Sequence, residues 1–236
     1  MDRNVERAIG DIAVIKSVIE RTQRDFSRIS VFFIWIGGIN LIKFVVEQIS
    51  YYFRNVNGYG SEMSAFLANT SRVLPLMAYV ICFMFFYKII KLRNNSISMG
   101  LLNVWGIILI GSELLTFMYA YLIPVGNNVA VNMMWRYKEL ILILPIIVIL
   151  LVTGIITQRK VISILTCVYS VIYFILFTGM KEIKYGTWGG TGTMVSASSI
   201  SIRFIMTLGM IALGLYLKRG VNNGNKFNTG SISDET

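Results

Sequence analysis

The sequence predicts an all-α fold: a polytopic membrane protein with six transmembrane helices, preceded by an N-terminal cytoplasmic amphipathic helix of heptad pattern. Three observations predict it. The 236-residue chain is 55% hydrophobic and only 14% charged. It carries several apolar runs of about 18 residues or more, the length that crosses some 30 Å of hydrocarbon. Its first 28 residues show instead a seven-residue periodicity. The expected organisation is a cytoplasmic helix over 1–28, a transmembrane domain over 29–218 and a polar, disordered cytoplasmic tail over 219–236.

In the first segment Val5, Ile12, Ile19 and Phe26 recur every seven residues, and Ala8, Ile15, Thr22 and Ile29 repeat three places later. This is an a/d seam, with Asp11 and Lys16 at flanking g and e positions where partner helices pair charges. It predicts docking, either self-association into a homo-oligomer or capture of a cytoplasmic protein, with Val5, Ile12, Ile15, Ile19 and Phe26 as contact residues. Two alternatives are packing onto the protein's own cytoplasmic turns and lying flat on the membrane. A surface helix favours a basic face and aromatic insertion, whereas this one mixes Asp2, Glu6, Asp11, Glu20 and Asp25 with its cations and offers only Phe26. The same acids precede the first apolar run, unlike a cleavable signal peptide, so the chain is expected to insert through its first span.

The spans are expected over 31–52, 73–91, 101–124, 139–157, 161–179 and 200–217. Each is read as a helix, because backbone groups in lipid must be satisfied within the segment. Tyr51, Tyr52, Tyr59, Trp135, Tyr137, Tyr185 and Trp188 fall near span ends, as an interfacial belt requires. With the N-terminus in the cytoplasm, fourteen Lys and Arg residues lie inside and seven outside, six of the fourteen in the N-terminal helix. Both termini are therefore expected in the cytoplasm and the protein in the cell membrane. The turn Gln158, Arg159, Lys160 predicts a tight hairpin between spans four and five. Two outer loops of roughly 20 residues, at 53–72 and 180–199, remain, with a shorter one between spans three and four.

Two charges stand out within the spans. Glu113 is near the middle of span three and Lys43 deep in span one. At ~1.5 Å per residue from the cytoplasmic ends they lie about 18 and 21 Å deep. Matching depth permits an ion pair. Asn40 and Glu47 flank Lys43 by one turn each, so the four residues form a polar stripe. Ionisable groups at this depth are costly unless paired or wet, which makes the stripe a candidate ion or polar-substrate site. The alternative is a pair that only fixes how spans one and three pack. Pro145 predicts a kink in span four. Gly37, Gly38, Gly106, Gly111, Gly154, Gly209 and Gly214 permit close helix contact without forming a GxxxG pair.

Several functions are excluded or unsupported. Histidine is absent, which removes His-based triads, HExxH zinc sites and His haem ligation. Cys82 and Cys167 both lie in apolar runs and form no CxxC pair. No catalytic motif, metal site or cofactor site is expected, Ser112 beside Glu113 being the one intramembrane pair of possible enzymatic interest. The net charge of +10 is scattered along span ends, which points to membrane lipid and not to nucleic acid. Gly58-Tyr59-Gly60 reads as a turn, not a potassium filter, because no pore helix leads into it. Tyr185 to Thr193 is Gly-rich without a GK[ST] ending and reads as a mobile outer loop or short re-entrant cap. Asn69-Thr70-Ser71 matches a glycosylation sequon.

In gross architecture the chain looks somewhat like the permease subunit of an ABC exporter or the substrate-binding subunit of a vitamin importer; neither likeness rests on a motif. The expected function is transport-like or channel-like, as an oligomer or a subunit of a larger complex. An accessory protein that binds a cytoplasmic partner through residues 1–28 is the alternative, and an intramembrane enzyme the third reading.

Overall fold

The computed structural model of the chain describes residues 3–57, 62–92, 96–122, 129–179, 182–185 and 193–219. The elements in order are α1 (Arg3–Asn57), α2 (Glu62–Lys91), α3 (Ser96–Leu122), α4 (Val129–Ile156), α5 (Lys160–Thr178), β1 (Glu182–Tyr185), β2 (Thr193–Ser196) and α6 (Ala197–Phe204). A π-helical turn, Ile205–Gly209, follows α6 directly, and the helical run ends at Arg219. Among the described residues six segments are long and apolar enough to cross a membrane: Ser27–Arg54, Ala65–Lys91, Ile97–Tyr119, Tyr137–Ile156, Lys160–Thr178 and Ala197–Arg219.

Helices overrun the expected spans. Helix α2 begins at Glu62 and α4 at Val129, so most of the expected loop over 53–72 is helix. Hydropathy marks the apolar part of a helix, but Glu62, Met63, Ala65, Leu67 and Ala68 are helix formers that carry α2 on beyond it. The sequon is helical too: Thr70 Oγ1 donates to the Phe66 carbonyl at 2.8 Å and Ser71 Oγ to that of Ala68 at 2.8 Å. The fold is all-helical as expected, with one short ribbon added to it. Glu182 pairs with Ser196 and Tyr185 with Thr193 in an antiparallel ribbon, because Ile183, Tyr185, Thr193 and Val195 favour extended backbone on either side of a Gly-rich stretch. The Gly58-Tyr59-Gly60 turn, the residues between β1 and β2 and the tail beyond Arg219 lie outside the described residues.

Helix α1 is continuous for 55 residues, so the heptad segment and the first span share one helix. The side chains of residues 3–26, among them Val5, Ile12, Ile15, Ile19 and Phe26, lie outside the described residues. The α4–α5 connection is a Schellman motif: Arg159 N–H donates to Gly154 O at 3.0 Å and Gln158 N–H to Ile155 O at 3.0 Å. Gln158 takes the left-handed position at φ 54°, which glycine usually fills. Helix α4 runs through Pro145 without interruption.

The core is aromatic at the end nearer the termini. Phe33 meets Trp105 edge-on with centroids 5.0 Å apart, and Phe32 meets Phe86 at 5.5 Å. All four rings are buried. Trp105 Nε1 donates to Thr153 Oγ1 at 2.9 Å, joining α3 to α4. Helix α1 lies very close to the sixth helical run: a Cβ on Gly214 would come within 2.5 Å of Ser30 O, and one on Gly37 within 2.8 Å of Thr207 O. Large apolar side chains such as Ile81, Phe85, Ile107, Ile155 and Ile164 are exposed around the outside of the bundle, the surface a helix presents to lipid.

Candidate functional site

The inward face of α1 changes chemistry at Asn40. Up to Ile39 it buries Ile29, Phe32, Phe33 and Ile36; from Asn40 onward the same helical stripe carries Lys43, Glu47, Ser50 and Arg54. Residues spaced three and four apart share a face, so this polar half cannot turn outward while the apolar half packs inward. A cavity of about 380 Å³ opens there, within the usual range of ligand pockets, roughly 300–1,000 Å³. Its walls come from the end of α1, the start of α2, the end of α3, the start of α4 and α6 with its π-helical turn.

The structure brings Lys43 and Glu113 together. Lys43 Nζ donates to Glu113 Oε1 at 2.7 Å, with 21% and 9% of the two side chains exposed. Asn40 is buried and donates from Nδ2 to the Ile36 carbonyl at 2.9 Å. Glu47 belongs to the same cavity but has a different ion-pair partner: Arg203 of α6 donates to its Oε2. Two ion pairs thus cross the cavity walls, α1 to α3 and α1 to α6. Ser112 directs its hydroxyl to the Leu109 carbonyl at 2.8 Å.

Arg54, Arg72, Lys138 and Arg203, four of the seven cations that the sequence places on the outer side, also line the cavity. Arg203 carried the available signal, since it lies inside an apolar run, as Lys43 does. Beside the cavity, Glu139 of α4 reaches the start of α6 and accepts from Ser196 Oγ at 3.0 Å, from Ser198 Oγ at 2.9 Å and from Ser199 Oγ. Ser196 also caps α6, accepting the Ser199 N–H at 3.2 Å. A carboxylate at a helix N-terminus is favoured by the backbone dipole, so this cluster ties α4 to the β2–α6 junction.

The π-helical turn faces the cavity through Met206 and Thr207. Met210 N–H reaches back to Ile205 O, and Thr207 Oγ1 donates to the Arg203 carbonyl at 2.7 Å. Such turns are frequent at functional sites because they re-aim side chains without ending a helix. No family model matches the chain, and neither a curated protein nor a solved structure does.

Proposed function

We propose that the chain is a multi-pass cell-membrane protein of transport or channel type, in which the cavity is a vestibule for a polar solute. On the orientation that puts both termini in the cytoplasm, the vestibule faces outward. The observation that carries this reading is the cavity itself: about 380 Å³ lined by seven Lys, Arg and Glu side chains from α1, α2, α3, α4 and α6. Charges in such a setting are costly unless paired or wet, and a bundle built only for packing gains nothing by placing them around an empty space. Lys43 and Glu113 lie at the inner end of the cavity, about 16 Å along α1 from Arg54 at ~1.5 Å per residue. They form the polar floor on which a solute rests.

The test is water access. In a chain carrying Cys82→Ser and Cys167→Ser, Thr116→Cys, at a half-buried position of the cavity lining, is expected to react with a membrane-impermeant maleimide added outside intact cells. Failure to react in folded protein refutes the outward vestibule. A second reading, partner binding through the N-terminal helix, is favoured by the continuity of α1. The 24 residues before Ser27 extend that helix by about 36 Å beyond the first span. Removing residues 1–26 and measuring oligomer size in detergent tests it, an unchanged size counting against self-association.

A further inference from the structure

We infer that the vestibule takes a phosphate oxyanion, either on a free organic phosphate or on a lipid headgroup; this rests on the reading of the cavity as a water-accessible vestibule. The argument is one of charge. Five cations line the cavity, Lys43, Arg54, Arg72, Lys138 and Arg203, against two carboxylates, Glu47 and Glu113. Both carboxylates already hold an ion pair, with Arg203 and Lys43 respectively. Among the described residues the lining thus sets five positive charges against two negative ones. Arg54 and Lys138 make further contacts with their neighbours, so the excess concerns charge balance and not missing partners.

Glu139 does not remove the excess. It stands outside the lining, with hydroxyl donors on both of its oxygens, and counting it still leaves two positive charges over. An excess of this kind, partly withdrawn from water, is self-repelling until a counter-anion enters. A solute cation would enter against it.

The cations also converge from separate helices, Arg54 from α1, Arg72 from α2, Lys138 from α4 and Arg203 from α6. Guanidinium forks contributed by different helices match the spread oxygens of a phosphate better than a small spherical ion. The volume, about 380 Å³, exceeds what inorganic phosphate fills and leaves room for an organic portion against Phe44, Leu142 and Ile146.

The experiment uses the full chain in maltoside micelles free of phospholipid, with thermal unfolding as readout. One arm adds inorganic phosphate against chloride at equal ionic strength; the other adds phosphatidylglycerol. A concentration-dependent rise in midpoint is expected in at least one arm. Phosphate alone points to a free solute, phosphatidylglycerol alone to a headgroup, and both together to a site that accepts either. Arg72→Gln is expected to weaken the response at least tenfold, and Arg72→Lys by less. Arg72 is exposed at the cavity rim, so the substitution spares the packed core.

The inference is overturned if neither arm exceeds chloride, if R72Q responds as the parent does, or if the midpoint follows the cation at constant anion. Thr116→Cys labelling on the Cys-free chain separates the two levels. Labelling without an anion response leaves the vestibule standing and removes its assigned ligand; absence of labelling removes both.

Discussion

Replacing Glu113 with Gln tests whether the intramembrane pair acts within a positively charged cavity. Glu113 is only 8% exposed and accepts from Lys43 at 2.7 Å. Removing one partner of a fully buried pair costs roughly 3–5 kcal/mol, because the other charge is stranded. Lys43 retains 21% exposure and lines the cavity, so its flexible stem can carry the ammonium toward water and lower the cost to about 2–3 kcal/mol. Lys43→Met is expected to cost less, about 1–2 kcal/mol, because it strands an anion among the four remaining cations. E113Q instead strands a cation among cations. In the double variant much of the loss is recovered, with a coupling of about 1–3 kcal/mol. The assay is reversible unfolding of purified protein in mixed micelles by dodecyl sulfate, followed by tryptophan fluorescence. Strictly additive single effects, or K43M costing more than E113Q, would refute the reasoning.

Three further outcomes are expected. Thr153→Val leaves the buried Trp105 indole N–H, now 2.9 Å from Thr153 Oγ1, without its acceptor, and is expected to cost about 1–3 kcal/mol in the same unfolding assay; a neutral result would show the contact to be immaterial. Gly214→Val forces a side chain to within 2.5 Å of Ser30 O and is expected to lose about 1–3 kcal/mol or more through overpacking, whereas wild-type stability would mean that α1 and the sixth helix are not held so close. Cys167, exposed on α5, and Cys82, buried on α2, are expected to stay unlabelled by a sulfonated maleimide in intact membranes and to react after unfolding in dodecyl sulfate. Prompt labelling of Cys167 in intact membranes would place that face of α5 in water.

What could be read ahead of the coordinates divides along physical lines. Membrane-length apolar runs are a coarse property summed over some twenty residues, and all six reappear as helices. That Lys43 and Glu113 could pair was legible from depth, since two helices crossing the same slab at ~1.5 Å per residue bring equal depths level; that their helices are neighbours was not. The partner of Glu47 did not follow, because the choice of Arg203 depends on which helices are neighbours. The cavity walls were hidden for another reason. Arg54 and Arg72 lie where hydropathy falls off but the helix persists, and a scale of apolarity treats such turns as loop. The β1–β2 ribbon was missed because four-residue strands bracketing a Gly-rich stretch resemble a loop in composition.

The place where α1 changes character bears on mechanism. Its inward stripe is apolar through Ile39 and polar from Asn40, so in the proposed vestibule a solute that reaches Lys43 meets, about two to three turns further on, the buried layer of Phe32, Phe33, Phe86 and Trp105. Aromatic rings packed edge-on at 5.0 and 5.5 Å leave no polar partner for a hydrated ion or phosphate, and taking one through unpartnered costs far more than thermal energy. A permanently open pore therefore fits the proposed vestibule poorly. A vestibule with a closed floor fits it better, in which passage requires helices to shift and the Lys43–Glu113 and Arg203–Glu47 pairs to exchange partners with the solute. The π-helical turn Ile205–Gly209 lies between Arg203 and the close α1 contact at Gly214, and its own Thr207 carbonyl packs against Gly37 of α1. In the proposed vestibule a change of helical pitch at this turn would therefore move Arg203 against Glu47 and shift the packing of the first helix together.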